Sequence, residues 1–269
     1  MSKTGNSIPG IRKLREAIPP HCFQPKPVVT SLYIIQSFAG ILLVGATMLY
    51  VPYITELKLV RFASWAFGGF VQGLILTGVW ILAHECGHGA LFNSELTNDI
   101  VGFALHTLLL VPYFPWKFTH ARHHRYTNHM TKDTAFVPQR TNQSSRNSGS
   151  DRVNDNENPF LHSLQESPFY QLALLTGHQL FGWPSYLFFY YTGGHQSTQR
   201  PIKPSKSQSH FNPWSILFDP GQKNHVLISD LGLFCMFLAL YWAAVRFGVT
   251  TILLVYGIPY LWVNHWIGE

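Results

Sequence analysis

Charged residues are scarce in this 269-residue sequence. Asp, Glu, Lys and Arg make up 12% of the chain, whereas hydrophobic residues make up 46%. A soluble domain carries about 25% charged residues, so the composition argues against a soluble globular fold. The length alone would allow one or two soluble domains, but the long apolar runs favour a single membrane-embedded unit.

Cysteine is also scarce, with Cys22, Cys86 and Cys235 as the three examples. An odd number of cysteines at wide spacing argues against a disulfide framework and against a CxxC metal-binding motif. We therefore expect neither disulfides nor cysteine-bound zinc to hold the fold together. Cys86 is interpreted as a small packing residue.

The formal net charge is +6, yet the sequence contains no basic helix or aromatic-basic module. Nucleic-acid binding requires such a surface, so we expect no nucleic-acid partner. An excess of Lys and Arg is instead typical of the cytosolic flanks of membrane helices. Residues 1–30 are basic and contain proline, without an apolar stretch of the secretory type. We interpret them as a cytosolic N-terminal lead.

Long uncharged runs predict an all-α membrane protein. Residues 31–54 and 62–83 carry no charge, and each is long enough for the roughly 20 residues that a crossing requires. Residues 231–245 and 247–267 are predicted to form a closing hairpin. The sequence therefore predicts about four transmembrane helices in two hairpins, with both chain ends in the cytosol.

Two further apolar runs are less suited to crossing the membrane. Residues 100–115 would form a helix shorter than the ~30 Å hydrocarbon core, so we interpret them as re-entrant or interfacial. Residues 169–192 precede a basic loop, which a crossing would place on the lumenal side against the positive-inside rule. We predict a helix pair at the membrane surface, broken near Gly182, Trp183 and Pro184.

Two histidine clusters stand beside these apolar runs. The first reads His84-Glu85-Cys86-Gly87-His88, and the second reads His120-Ala121-Arg122-His123-His124. Residues three or four apart lie on one face of a helix. The spacing therefore projects His84 and His88 together, and likewise His120, His123 and His124. Five imidazoles exceed the four ligands of one tetrahedral zinc ion, so we predict a metal centre on a cytosolic histidine face.

Two chemistries suit such a centre. A diiron site needs about eight to twelve ligands, and its oxidation chemistry reaches C–H bonds that side chains alone cannot attack. HECGH also matches the H-E-x-x-H pattern of zinc proteases, in which Glu85 would be the general base. A zinc protease needs one further ligand and an open position, so the second cluster favours iron. The alternative without a metal is a set of interfacial histidines satisfied by water or backbone.

Residues around the second cluster allow more than one interpretation. Arg122, Arg125 and Lys132 would either attract an acidic partner or form a solvated edge. Asp133 would either orient a ligating imidazole or cap the following segment. The aromatic residues Tyr113, Trp116 and Tyr186 are interpreted as membrane-interface residues rather than as the lining of a substrate channel.

The amino-acid sequences of these two motifs are specific enough to indicate a family. AHECGHGA at 83–90 and NDIVGFALHTLLLVPYFPWKFTHARHHRYTNHMTKDTAFVP at 98–138 resemble the membrane fatty-acid desaturases, in particular the fungal form of the Δ12 (oleate, omega-6) group. The resemblance extends from about residue 30 to the end.

The resemblance implies a multi-pass oxidoreductase of the endoplasmic reticulum membrane. Such an enzyme uses two iron ions and O2 to introduce a cis double bond into an oleoyl phospholipid, giving a linoleoyl lipid, with cytochrome b5 as the electron donor. The implied metal ligands are His84, His88, His120, His123 and His124. Bond position does not follow from the motifs, because hydroxylases and conjugases share them.

One departure from the family pattern concerns the third histidine box, usually HxxHH. The sequence ends at Glu269 without it, so residues 31–269 are interpreted as an incomplete desaturase-like membrane domain. At least one iron would lack ligands, and we expect this chain alone to be inactive or nearly so. The alternative is a non-catalytic remnant that keeps the fold.

Overall fold

The computed structural model describes residues 10–137, 167–199 and 208–267. These residues are mostly helical and contain no strand, which confirms the predicted all-α class. The α-helices are α1 (Ile11–Glu16), α2 (Pro27–Ile54), α3 (Lys58–Gly87), α4 (Glu95–Leu108), α5 (Tyr113–Tyr126), α6 (Pro168–Phe189), α7 (Lys223–Phe247), α8 (Val249–Ile252) and α9 (Ile258–Ile267). Short 3₁₀ helices occupy Pro20–Phe23 and Pro220–Gln222, and a π-helical stretch at Leu253–Gly257 joins α8 to α9.

Three helical segments of the described chain are long and apolar enough to cross a membrane. They are α2, α3 and the segment Pro220–Phe247 that contains α7. Large apolar side chains cover their outer faces, and Leu42 and Leu43 of α2 are 72% and 70% exposed. Such a surface is stable against lipid tails rather than water. The pair α4 and α5 would be a fourth only if it formed one bent span, so the described chain has three to four candidate crossings.

Helix α3 lies between α2 and α9, and glycines make this close packing possible. A Cβ atom at Gly68 would lie 2.5 Å from Cγ of Met48, and one at Gly73 would lie 2.4 Å from Cβ of Trp262. Small residues let membrane helices approach one another in this way. The packing against α2 and α9 fixes the position of α3, which ends in the first histidine cluster.

The sequence predicts a crossing at 247–267. The structure has a continuous helical run from α8 to α9 there, but none of its helical elements is by itself long enough to cross a membrane.

Helices α4 and α5 form a re-entrant pair. They meet at an angle of 109°, and Leu110 at the bend has a left-handed φ of 55°. Asp99 near the start of α4 accepts hydrogen bonds from the Tyr113 hydroxyl at 2.9 Å and from Lys117 Nζ at 2.5 Å. Helix α5 therefore returns beside the beginning of α4 instead of continuing to the other side of the membrane. This arrangement agrees with the re-entrant prediction for residues 100–115.

Helix α6 differs from the prediction of a broken pair. It runs without interruption from Pro168 to Phe189 and contains Pro184 in its interior. A proline forfeits one backbone hydrogen bond, but the adjacent Trp183, Tyr186 and Leu187 are buried, and their packing holds the helix together. The predicted break is wrong, because the local proline and glycine content gives no information about this tertiary packing.

Candidate metal centre

Four of the five predicted histidines meet at one point. His84 lies in the last turn of α3, and His88 directly follows this helix. His120 and His124 lie one turn apart on α5. One ring nitrogen from each of the four lies within 4.8 Å of the others. The two clusters, 36 residues apart in sequence at His84 and His120, therefore form one group.

The facing atoms of this group are the Nε2 nitrogens. His84 Nε2 lies 2.8 Å from that of His120 and 3.4 Å from that of His88, and His120 Nε2 lies 2.9 Å from that of His124. For metal–nitrogen bonds of about 2.0–2.1 Å, tetrahedral ligand atoms are about 3.3 Å apart. A small outward movement of the rings would therefore admit a metal ion, so the donor set fits a divalent transition metal.

Glu85 fixes the tautomer of His84. The His84 Nδ1–H donates to Glu85 Oε1 at 2.9 Å, which leaves the Nε2 lone pair pointing into the group. The Nε2 atoms of His120 and His88 face this lone pair, and a bound metal would take the place of any proton between them. His88, which follows the spanning part of α3, has its pKa lowered by burial and by the neighbouring His84 and His124. The group is thus biased towards neutral, ligand-competent imidazoles.

Aromatic rings support the histidines from the protein side. The Trp116 ring stacks on His120 with centroids 4.5 Å apart and planes at 18°, and Trp80 lies 5.4 Å from the ring of His84. A Cβ atom at Gly87 would lie 2.8 Å from the Trp116 ring. Glycine at this place in HECGH therefore lets the end of α3 approach the tryptophan that supports the second cluster.

The fifth predicted ligand, His123, lies beside the group but outside it. Its Nδ1–H donates to Asp133 Oδ1 at 2.7 Å, so its Nε2 remains available to a metal. Its role as a ligand stays a prediction. Asp133 also accepts the backbone N–H groups of Ala135 at 2.9 Å and Asn128 at 3.0 Å. Both interpretations of this residue, orienting an imidazole and capping the next segment, are therefore observed.

The charge state of Asp133 follows from these contacts. Burial alone would raise the pKa of its carboxyl group. The hydrogen bonds from Ala135, from His123 and from Asn128 outweigh burial and hold that pKa below its usual range. The carboxylate therefore stays ionised and keeps accepting the proton on His123 Nδ1.

An apolar cavity of about 440 Å³ opens beside the histidines. His120 and His123 lie on its wall, together with Trp116, Trp183, Tyr186 and Phe136. Its size falls within the roughly 300–1,000 Å³ of small-molecule sites. The interpretation of Trp116 and Tyr186 as interface residues is wrong, because both line this cavity. The same interpretation of Tyr113 is also wrong, because that residue is fully buried.

Three histidines outside the two clusters lie inside the fold or on the cavity wall. His178 lines the cavity, and His106 and His210 are completely buried. No local pattern marks these three residues, since each acquires its surroundings only when distant segments pack together. His129, by contrast, is exposed and contacts its neighbour Thr131.

The basic residues of the second cluster separate into different roles. Arg122 is partly buried and donates from Nη1 to the carbonyl of Leu217 at 2.6 Å. The prediction of a solvated edge or partner contact is therefore wrong for this residue. Arg125 is exposed, and the Lys132 ammonium lies 5.6 Å from the ring centroid of Tyr126.

Comparison with known proteins finds one family. Residues 62–269 match the family model of the fatty acid desaturases. A Delta(12) fatty acid desaturase of Mortierella isabellina is 35% identical over 262 residues, which cover 96% of this chain and 62% of the relative. An oleate hydroxylase of Claviceps purpurea is 34% identical over 273 residues, covering 96% of this chain and 55% of that protein.

A third relative is a bifunctional fatty acid conjugase/Delta(12)-oleate desaturase of Punica granatum. It is 36% identical over 255 residues, covering 94% of this chain and 58% of the relative. The chain thus spans between 55% and 62% of the length of these three proteins.

Proposed function

Because this chain belongs to the fatty acid desaturase family, we propose that it acts as a membrane oxidoreductase introducing a cis double bond into a lipid acyl chain. The observation that carries this proposal is the meeting of His84, His88, His120 and His124 beside an apolar cavity. A metal ligand set and an apolar binding site share one wall there, which is the arrangement that hydrocarbon oxidation requires.

The proposed cofactor is a pair of iron ions, with O2 as the oxidant. The four converging histidines would hold one iron, and the free Nε2 of His123 is available to the other. When bound, iron supplies the oxidation of an unactivated C–H bond, for which side chains alone are too weak. Glu85 and Asp133 orient the imidazoles through their Nδ1 atoms. No histidine needs to act as a general base.

The cavity is the proposed site of the acyl chain. Tryptophan rings line its wall beside His120 and His123, and an acyl chain can enter without leaving apolar surroundings. The names of two relatives support Δ12 chemistry on oleate, so we propose an oleoyl lipid as substrate and a linoleoyl lipid as product. A third relative is named a hydroxylase, which makes identification of the product part of the test.

The proposed location is the endoplasmic reticulum membrane, with several crossings. Three apolar helices support a membrane protein, and a relative from Glycine max is named as an endoplasmic reticulum isozyme of omega-6 desaturase. Cytochrome b5 is the proposed electron donor. The exposed cation of Arg125, beside the exposed His124, suits an acidic partner that approaches the metal.

A zinc protease is not favoured by this geometry. Its general base would have to be Glu85, whose carboxylate binds Nδ1 of His84. The fourth converging histidine would also occupy the position that a catalytic zinc leaves open for water.

The decisive experiment is lipid analysis in a host that makes oleate but no dienoic acids. We would express the 269-residue chain and the same chain extended by a segment with an HxxHH motif. Each is also expressed with the substitution His84→Ala and, as the matched control, with His129→Ala. A new dienoic acid that is lost in His84→Ala and kept in His129→Ala supports the proposal. Unchanged lipids with both lengths of chain would contradict it, and a hydroxylated or conjugated product would reassign the reaction within the family.

A further inference from the structure

We propose that His210 is a positioning residue of the metal centre, because through Thr119 it fixes the helix that carries His120 and His124. The inference rests on the proposed function, since it concerns the same centre. His210 lies on the segment between α6 and α7, far from both clusters in sequence, and its side chain is completely buried.

The tautomer of His210 follows from its two contacts. Its backbone N–H donates to the carbonyl of Leu187 at 2.9 Å, and its ring Nδ1 lies 3.3 Å from the same carbonyl. A carbonyl oxygen can only accept, so Nδ1 carries the proton and Nε2 carries a lone pair. The atom facing this lone pair is the Thr119 hydroxyl at 3.2 Å, whose one proton is shared with the carbonyls of Pro115 at 3.1 Å and Trp116 at 3.0 Å.

Thr119 is the centre of a chain of hydrogen-bonding contacts. The Tyr186 hydroxyl donates to Thr119 Oγ1 at 3.2 Å, the Thr119 hydroxyl faces His210 Nε2 at 3.2 Å, and His210 Nδ1–H donates to the Leu187 carbonyl. Both ends of this chain lie on α6, and its centre lies on α5. The hydroxyl of Thr134 adds a bond of 2.6 Å to the Thr119 carbonyl. Since Thr119, Thr134 and His210 are all 0% exposed, no water competes for these bonds.

The position of Thr119 ties this network to the metal centre. It directly precedes His120, whose Nε2 lies 2.8 Å from that of His84, so any rotation of α5 about its axis moves the ligand. Tyr186 also lines the apolar cavity. The network thus connects the cavity wall on α6 with the ligand helix.

The segment that carries His210 is itself firmly packed. Ile216, Leu217 and Phe218 are at most 1% exposed, and Arg122 of α5 binds the carbonyl of Leu217 at 2.6 Å. The segment therefore contacts α5 at two places, three residues apart, on one side of the helix. Burial lowers the pKa of His210 to about 3, which keeps its ring neutral and Nε2 able to accept at working pH.

The test uses Co²⁺ binding to the full chain in detergent, followed by the d–d absorption of the bound ion. His210→Leu removes both ring contacts, whereas His210→Gln offers an acceptor and a donor in their place. Outer residues that orient metal ligands change metal affinity by about 10- to 100-fold when they are mutated. We expect about a tenfold loss of Co²⁺ affinity with a shifted absorption band for His210→Leu, and a smaller effect for His210→Gln.

Two sets of controls separate positioning from general stability. Thr119→Val removes the hydroxyl donor and should resemble His210→Leu, whereas Thr119→Ser keeps the donor and should resemble the wild type. Gln72→Leu removes another buried hydrogen bond, from Gln72 to the Ile41 carbonyl, about 18 Å along α3 from His84. It should leave the Co²⁺ affinity and spectrum unchanged, whatever its effect on thermal stability.

The outcomes are distinct. Wild-type affinity and spectrum in folded His210→Leu would overturn the inference, as would equal effects of His210→Leu and Gln72→Leu on Co²⁺ binding. If His210→Leu does not fold, the Thr119 pair decides, and equal affinities of Thr119→Val and Thr119→Ser would overturn it. A wild-type chain that binds no Co²⁺ would refute the proposed metal centre itself and not only the role of His210.

Discussion

Replacing Asp133 with Asn tests a carboxylate that accepts three hydrogen bonds beside the candidate metal centre. Asp133 is 2% exposed, and it accepts from His123, Ala135 and Asn128. The asparagine side chain can keep the bonds from His123 and Ala135 at its oxygen. Its NH2 group then faces the backbone N–H of Asn128, and two donors cannot form a hydrogen bond. A hydrogen bond to a charged group contributes about 1.5–3 kcal/mol. We expect Asp133→Asn to lower the free energy of unfolding by about that amount.

The pH dependence of this loss has a defined sign. The native pKa of Asp133 is lowered relative to about 3.9 in an unfolded chain. Its contribution is therefore complete above that value and disappears as the pH falls through the native pKa. The stability difference between wild type and Asp133→Asn should be constant near neutral pH and shrink below about pH 4.

Equilibrium unfolding in mixed detergent micelles, followed by tryptophan fluorescence, measures the effect. Glu95→Gln is the matched control, because Glu95 is an exposed carboxylate whose ion pair with Lys117 spans 3.8 Å, and such pairs contribute only about 0–1 kcal/mol. Equal stability of Asp133→Asn and Glu95→Gln at neutral pH would refute the reasoning.

Three further predictions use the same methods. His84→Ala should abolish Co²⁺ binding, because the ring contacts both neighbours in the group, whereas His129→Ala should leave the titration unchanged. The native pKa of His210 is lowered to about 3, so below about pH 6.5 the unfolded chain binds a proton at this residue and the native chain does not. The free energy of unfolding should therefore fall by up to ~1.4 kcal/mol per pH unit towards pH 3. His210→Gln should remove this slope. Gly102→Ala places a Cβ atom 2.4 Å from a buried tyrosine ring and should cost about 1–3 kcal/mol; Gly78→Ala, where a Cβ meets no described atom within 4 Å, should cost nothing in a thermal unfolding scan.

Helical periodicity predicted the convergence of four of the five histidine side chains. Residues four apart are displaced by about 40° around a helix, and residues three apart by about 60° in the opposite sense. His84 and His88, and likewise His120 and His124, are four apart and converge. His123 is three from His120, and its ring meets Asp133 instead. Spacing thus identifies candidate faces, but the residues packed against a face decide which rings point inward.

Other parts of the site have no local pattern to reveal them. Thr119 and His210 meet across 91 positions of sequence, and neither belongs to a motif. Trp116 looked like an interface residue because aromatic residues near apolar runs usually are. Its contact with Gly87 exists only once α3 and α5 have packed. Composition therefore predicts the environment of the chain, whereas pairing between segments determines the site.

The re-entrant course of α4 and α5 is the feature on which the candidate metal centre depends most. The length of an apolar run cannot show whether a chain crosses or returns, but two histidine clusters can meet at one site only if the chain between them returns to the same side of the membrane. The contacts that produce it are polar: one carboxylate, Asp99, binds both Tyr113 and Lys117 from the returning helix. At the bend, Leu110 adopts the left-handed conformation, which costs a residue with a Cβ atom about 1–2 kcal/mol. A chain that crossed once would need neither the strain at Leu110 nor the pairing at Asp99, so these two features together account for both histidine clusters facing the same side.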